Sequence, residues 1–307
     1  MRIETPGQVT DRITLLGRRD SCVYLVDGNG EYALLGGGMA SIIPDIRDQV
    51  NRLGIDVEKI RRIIILHSHI DHVGAVPYLK QQWPWVVVSA SKRAQHQLAQ
   101  PQVISTIVEF SRLLLQATEP AASLSAYGLD ITSIEVEEAL GDTEKIPCGD
   151  LTLEVLEVPG HSSCSIAIYI PQEKALFGSD AGGILYGDTI FTSANSNFDQ
   201  YQASLEKMSS CEVNVYLAEH YGALTGEDAS TYLEKARDSA AQTRKLIAET
   251  LRKTGEVRSA AEEITELFMA EGSGYFLPRE IMQMVIAQMT GFVAKNLSPP
   301  LKPSSNT

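Results

Sequence analysis

The chain of 307 residues has few cysteines and no segment that resembles a membrane anchor. Its four cysteines lie far apart and form no CxxC pair, which predicts free thiols and argues against a disulfide framework or a thiolate zinc site. The apolar run at 63–66 is far too short to cross a bilayer. The first residues lack the apolar stretch of a signal peptide, so we expect a cytoplasmic protein.

Positive charge is also scarce in this chain. There are 26 Lys and Arg residues against 39 Asp and Glu, which gives a formal net charge of −13. Nucleic acids and anionic membranes repel such a surface, so neither is expected as a partner. The 44% of hydrophobic residues predicts a globular protein with a large core, and a small-molecule substrate fits this composition.

Strands and helices alternate through the first 225 residues. The pattern predicts a helix over 43–53 and a second near 73–82. Strands are predicted over 13–16, 22–26, 32–35, 62–66, 85–88, 134–136, 151–158, 165–170, 175–177 and 213–218. This rhythm indicates an α/β architecture in which helices cover a sheet.

The remaining chain has a helical pattern. Apolar residues at helical spacing predict a long amphipathic helix from about 232 to 251, followed by helices near 260–270 and 278–297. We therefore predict an α/β domain over 1–225, a helical extension that caps it over 226–297, and a disordered tail over 298–307.

A cluster of titratable side chains directly follows the apolar strand predicted at 62–66. His67 and His69 are two residues apart, so in extended backbone they point the same way and can hold one ion. Asp71 and His72 lie at the turn that follows and can reach a second ion. Leaving such groups buried without partners costs about 1–3 kcal/mol each, a cost that metal binding removes. Imidazole and carboxylate suit zinc, iron or manganese.

Three further candidates occur downstream, each at the end of a predicted strand: His161, Asp180 and His220. When several strands end at one edge of an α/β sandwich, the side chains that follow them can come together there and form a site. Of the six histidines only His96 lies in a helical region, where a structural role is expected.

The order His67-x-His69-x-Asp71-His72, then His161, Asp180 and His220, resembles the metallo-β-lactamase superfamily of two-metal hydrolases over about residues 10–225. The resemblance implies a four-layer αββα sandwich and a site for two divalent ions, which are zinc or iron, with manganese as a further candidate. It implies a first ion held by His67, His69 and His161, a second held by Asp71, His72 and His220, and Asp180 as the bridge between them.

That resemblance also implies a mechanism. A hydroxide shared by the two ions attacks a carbonyl or phosphoryl centre, while Asp71 is the catalytic residue that orients it and relays a proton. The chain departs from the family in two places: residues 34–38 (Leu-Leu-Gly-Gly-Gly) lack the Asp that usually supports a ligand, and the C-terminus is helical. The helical C-terminus resembles the thioesterase-like protein of alkylquinolone signalling, in which added helices wall the pocket.

These features predict a hydrolase of a thioester or carboxylic ester with a hydrophobic acyl group. A phosphodiesterase or another phosphoester hydrolase is an alternative, but only Lys92 and Arg93 offer the basic groups it needs. A lactone hydrolase is another alternative. A third is a regulatory protein that retains the metal site and acts by contact, with the C-terminal helices as a homodimer or partner surface.

Candidate substrate residues lie mainly in the connection that follows Asp180. We predict a long pocket-lining loop over 181–198 that carries Tyr186, Phe191 and Phe198. Tyr221 follows His220 directly and is a candidate hydrogen-bond donor to the substrate.

Overall fold

The structure is a computed structural model that describes residues 1–118, 123–271 and 279–297. Two seven-stranded sheets form its centre. In spatial order, the first sheet contains β2 (Gly7–Gln8), β3 (Ile13–Arg18), β4 (Ser21–Asp27), β5 (Tyr32–Leu35), β6 (Ile60–Ile65), β7 (Val87–Ser91) and β8 (Glu138–Leu140). Its pairs are antiparallel from β2 to β5 and parallel from β5 to β8.

The second sheet is built mostly from the later part of the chain. Its spatial order is β1 (Arg2–Ile3), β16 (Ala223–Thr225), β15 (Val215–Leu217), β12 (Ala175–Phe177), β11 (Ile166–Ile170), β10 (Leu151–Glu157) and β9 (Lys145–Cys148). Strands β12 and β15 pair in parallel, and the other described pairs of this sheet are antiparallel. A separate hairpin joins β13 (Ile184–Tyr186) to β14 (Thr189–Phe191).

Helices cover the outer face of each sheet. The first part of the chain provides α1 (Ile43–Leu53), α2 (Val76–Gln82), α3 (Lys92–Leu98) and α4 (Pro101–Thr118). The later part provides α5 (Phe198–Met208), α6 (Glu227–Ser230), α7 (Tyr232–Thr254), α8 (Val257–Glu271) and α9 (Arg279–Lys295). None of the helices in the described ranges is long and apolar enough to cross a membrane.

Alternation along the strands creates three hydrophobic layers. In β4, Tyr24 packs between the two sheets, whereas Val23 and Leu25 pack under the helices of the first sheet. In β11, Ile168 faces the space between the sheets and Ala167 faces the helices of the second sheet. The layers therefore run helix, sheet, sheet, helix, which confirms the predicted αββα sandwich.

The C-terminal helices pack on the outer face of the second sheet. Tyr232, Ala236 and Leu251 of α7 belong to the same buried cluster as Leu176 of β12 and Tyr216 of β15. Helix α7 thus shares a core with the sheet it covers. The tail predicted over 298–307 lies outside the described residues.

Two local predictions were wrong. The run 134–136 forms no strand, because its backbone bonds to α3: the Ile134 N–H donates to the Leu98 carbonyl, and the Gln95 side chain donates to the Val136 carbonyl. The strand begins four residues later as β8. The predicted loop over 181–198 contains the β13–β14 hairpin, whose Gly187-Asp188 turn is a two-residue hairpin signal.

Candidate metal centre

The first four predicted ligands lie on the loop that follows β6. This is a central strand of the first sheet, and its buried apolar end, residues 63–65, leads through Leu66 to His67. The loop closes through a hydrogen bond of 3.0 Å from the His72 N–H to the His69 carbonyl, which brings the residues between them into one turn. The turn thus keeps all four side chains in one short segment at the end of the sheet.

Three histidines form one group of facing ring nitrogens. His161 Nε2 lies 3.2 Å from His67 Nε2 and 2.8 Å from His69 Nδ1. The ligand atoms of this group lie within 4.8 Å of one another. The predicted first set of ligands therefore meets at one point, although His161 is separated from the others by more than ninety residues.

A second group contains Asp71, His72 and His220. The Nε2 atoms of the two histidines are 3.2 Å apart, and Asp71 Oδ2 lies 3.3 Å from His72 Nε2 and 3.5 Å from His220 Nε2. These atoms also lie within 4.8 Å of one another. The predicted second set is thus brought together as well.

Asp180 lies between the two groups. Its Oδ2 atom is 3.3 Å from His72 Nε2, 3.4 Å from His161 Nε2 and 3.9 Å from His67 Nε2, and Oδ1 is 3.8 Å from His220 Nε2. One carboxylate thus faces histidines of both groups, which is the arrangement that a bridging ligand needs.

Backbone carbonyl groups set the orientation of two of the imidazoles. His161 Nδ1 lies 2.8 Å from the Ser193 carbonyl oxygen, and His220 Nδ1 lies 2.7 Å from the Asp20 carbonyl oxygen. Because a carbonyl oxygen can only accept, each Nδ1 carries a hydrogen, and in the neutral ring Nε2 presents a lone pair to the centre. This is the tautomer required for binding a cation through Nε2.

The imidazoles of the first group are held in the neutral form. Burial, with the neighbouring rings, keeps the pKa of His67 well below its usual range. Burial, with His161 alongside, lowers the pKa of His69 to about 3, and burial also lowers the pKa of His161. Neutral imidazoles are the form that binds metal.

In the second group and at Asp180, the carboxylates favour a positive charge beside them. Burial opposes ionisation of His72, but the carboxylates of Asp71, Glu219 and Asp180 outweigh it and raise the pKa of His72 well above its usual range. Burial likewise opposes ionisation of Asp71 and Asp180, yet the surrounding histidines hold the pKa of each well below normal. A divalent cation supplies this positive charge directly, so the donor set fits divalent metal ions.

Sequence reasoning missed Glu219, which is buried beside the two groups. Its Oε2 atom lies 3.0 Å from His72 Nδ1, and it accepts a hydrogen bond from the Ser179 hydroxyl. The available signal was an acidic residue next to a predicted ligand in a chain that lacks the usual acid at 34–38. Because Glu219 lies far along the sequence from residues 34–38, no local sequence pattern connects the two.

The predicted substrate residues differ in their environments. Tyr186 and Tyr221 pack edge to face with ring centroids 5.2 Å apart, and the Phe191 ring packs in the same way against Phe268. Phe198 is completely buried against Tyr201 at the start of α5. Its ring packs in the core beside the helix, and its role as a substrate residue stays a prediction.

A phosphate substrate would favour basic groups at this site, and the Arg19 guanidinium lies 5.3 Å from the centroid of the Tyr221 ring, next to His220. Among the described residues, no lysine or arginine forms an ion pair with Asp71, Asp180 or Glu219. The exposed Arg93 side chain donates to the Ser163 carbonyl instead.

Comparison with known proteins agrees with this geometry. Residues 16–220, more than half of the chain, match the model of the metallo-β-lactamase superfamily. The chain belongs to the metallo-β-lactamase superfamily. Family membership and the His/Asp cluster together make it a metal-dependent hydrolase.

Two bacterial proteins are among the relatives that resemble this chain in sequence. A hydroxyacylglutathione hydrolase from Prochlorococcus marinus (strain MIT 9312) is 23% identical over 222 residues, which cover 69% of this chain and 66% of the relative. A probable metallo-hydrolase from Bacillus subtilis (strain 168) is 23% identical over 171 residues, which cover 55% of this chain and 69% of the relative. The match thus spans about two thirds of the length of each relative.

Solved structures of the superfamily share the fold. A metallo-β-lactamase family protein from Thermus thermophilus has a TM-score of 0.65 at 17% identity, with 94% of this chain and 95% of that chain covered. The subclass B3 metallo-β-lactamase BJP-1 of Bradyrhizobium japonicum has a TM-score of 0.57 at 20% identity, with 81% and 95% covered.

A close approach of backbones positions His161. The preceding residue, Gly160, has a φ of +132°, and a Cβ atom added there would lie 2.2 Å from the Tyr201 backbone nitrogen. We expect Gly160→Ala to lower the free energy of unfolding by roughly 2–3 kcal/mol, because the backbone must shift to relieve this overlap. Denaturant titration of the metal-free protein measures the change.

Gly291→Ala is the matched control for this substitution. Gly291 lies in α9, and nothing lies within 4 Å of an added Cβ atom. The control should be neutral or slightly stabilising, since alanine favours helix. Equal stability of the two variants would contradict the argument from close approach.

Proposed function

We propose that this protein binds two divalent ions, zinc or iron, and hydrolyses a thioester or carboxylic ester with a hydrophobic acyl group. The observation that carries the proposal is the position of Asp180, whose carboxylate faces His161 of one group and both His72 and His220 of the other. A carboxylate between two sets of imidazole nitrogens suits a binuclear site better than a mononuclear one.

Bound divalent ions supply Lewis acidity and lower the pKa of a bound water molecule towards neutrality. The chain's own residues orient the reaction. His67, His69 and His161 hold one side of the site, and His72 and His220 hold the other. Asp71 needs only one carboxylate oxygen to bind a cation, so its second oxygen is available to accept a proton from the attacking water.

An apolar surface beside the site supports an acyl substrate. A groove next to the ligand loop is lined by Ile70, which lies between two predicted ligands, and by Phe110 and Leu113 of α4. Leu113 is 54% exposed, so its side chain is accessible to a group that enters this groove. Such a surface favours an acyl chain as the group next to the scissile bond.

Two further points support a thioester. One relative is named a hydroxyacylglutathione hydrolase, and an acylglutathione is a thioester. The C-terminal helices α7 to α9 agree with the resemblance to the thioesterase-like subgroup. The lack of ion-paired lysine or arginine at Asp71, Asp180 and Glu219, within the part of the chain described, argues against a phosphodiester.

A direct comparison of substrates tests this proposal. The metal-reconstituted protein is assayed with a medium-chain acyl-coenzyme A, bis-p-nitrophenyl phosphate and an acyl-homoserine lactone. We expect kcat/KM for the thioester to exceed that for the other two by at least about tenfold, a difference of about 1.4 kcal/mol. Activity on the phosphodiester alone would overturn the proposed substrate class.

Leu113→Asp tests the acyl-binding surface. Loss of part of the apolar contact removes about 1 kcal/mol of binding free energy, so KM for a long-chain thioester should rise about fivefold. KM for an acetyl thioester should not change, because its acyl group is too short to reach α4. Steady-state kinetics with both substrates provide the measurement.

Leu267→Asp is the control for that substitution. Leu267 is also exposed and helical, but it lies in α8 and does not line the groove. The same rise in KM for both variants would show that the groove does not bind the acyl chain.

A further inference from the structure

Glu219 lies on the side of the histidine rings that faces away from the proposed ions. Its Oε2 atom is 3.0 Å from His72 Nδ1 and 3.6 Å from His67 Nδ1, and the side chain is 2% exposed. The Nε2 atoms of these histidines face Asp180 and the other ligands. Because the two nitrogens of an imidazole point in divergent directions, a carboxylate at Nδ1 orients the ring and does not share its ion.

The contact with His67 is relayed by Ser179. The Ser179 hydroxyl donates to Glu219 Oε2, and its oxygen lies 3.3 Å from His67 Nδ1, where it can accept the ring hydrogen. Ser179 precedes Asp180 and has a φ of +50°, an unusual value for a residue other than glycine. Glu219 thus connects three loops that carry predicted ligands.

The carboxylate occupies the space beside the glycine run in which the sequence lacks an acid. A Cβ atom added to Gly36 would lie 3.1 Å from Glu219 Oε1. Leu35, the residue before the glycines, is buried between the two sheets and has no polar group to offer. The supporting acid therefore approaches from the end of β15 in the second sheet.

The cost of burying this carboxylate indicates a role beyond packing. Glu219 Oε1 has no hydrogen-bond partner among the described residues. A buried and partly unpaired carboxylate destabilises a protein unless nearby positive charge compensates for it. Cations held by His67 and His72 would provide that charge.

We propose that Glu219 is a positioning residue for both halves of the metal centre, because it orients His72 directly and His67 through Ser179. It takes the place of the acid that is missing at 34–38. The inference rests on the metal-binding part of the proposed function and not on the identity of the substrate.

The test measures metal affinity in the absence of substrate. Glu219→Met keeps the side-chain length but removes the acceptor, and Ser179→Ala removes only the relay to His67. Competition with a chromophoric chelator gives the two dissociation constants of each variant for zinc, and the visible spectrum of the cobalt(II)-loaded protein reports on ligand geometry. Thermal unfolding of the metal-free proteins separates metal binding from folding.

We expect Glu219→Met to weaken both binding steps by about 10- to 100-fold and to alter the cobalt spectrum. Ser179→Ala should weaken one step and leave the other unchanged. Glu212→Met, which replaces an exposed glutamate that pairs with Lys174, should alter neither step.

Other results would overturn the inference. Unchanged zinc affinities and an unchanged cobalt spectrum in Glu219→Met would make Glu219 a structural residue only. Complete loss of one binding step with the other intact would make it a ligand of a single ion. If Glu219→Met fails to fold, Glu219→Gln provides the same test, with weaker binding in both steps expected and unchanged affinities contradicting it.

Discussion

An Asp180→Asn variant is expected to lose roughly three orders of magnitude in kcat. The amide has one carbonyl oxygen and no charge, so it cannot face both groups of histidines as the carboxylate does. Losing one cation removes several kcal/mol of stabilisation from the transition state, and each 1.36 kcal/mol corresponds to a factor of ten in rate. Steady-state kinetics and metal content, measured on the same preparation, check this result.

Asp188→Asn is the control for that variant. Asp188 lies at the exposed turn of the β13–β14 hairpin, eight positions beyond Asp180 on the same connection. This substitution removes the same charge from the same connection, and both kcat and metal content should stay unchanged. An Asp180→Asn protein with two ions and near-normal kcat would contradict the bridging role.

Removal of the metal ions should lower the midpoint of thermal unfolding by about 10 °C. A ligand present at about 1,000 times its dissociation constant stabilises the folded state by about 4 kcal/mol. In a chain of this size, each kcal/mol changes the midpoint by about 2–4 °C. In the first group, the Nε2 lone pairs of His67 and His161 face each other at 3.2 Å, and a cation relieves their repulsion. Scanning calorimetry with and without a chelator measures the shift.

The combined His161→Ala and His220→Ala variant provides the control. It lacks one histidine from each group, so the chelator should no longer change its unfolding midpoint. A chelator effect of equal size in this variant would mean that the stabilising ions bind elsewhere.

Much of the fold was predictable because its signals are local. The short apolar and β-branched runs of β4 and β6 identify strands, and helical spacing of apolar residues identifies α1 and α7. The strand prediction at 134–136 was wrong because Ile134 and Val136 are β-branched and buried, as residues of a strand usually are. The hydrogen bonds of this run go to α3, and such long-range partners leave no trace in a short sequence window.

The site was predictable to the extent that its residues follow strand ends in a recognisable order. Six of the seven predicted ligands are gathered in two facing groups, and the seventh, Asp180, lies between them. The surroundings were harder to predict, because Glu219 acts across the gap between the two sheets. Phe198 was predicted to line a pocket because it is aromatic and follows a long connection, and only the packing of α5 shows that it is buried.

Diffraction from metal-loaded crystals at the zinc and iron absorption edges tests the central claim most directly. Two anomalous peaks per chain are predicted, one contacting His67, His69 and His161 and the other contacting Asp71, His72 and His220, with Asp180 touching both. A single peak, or no peak, in fully reconstituted protein would contradict the account of this protein as a binuclear hydrolase.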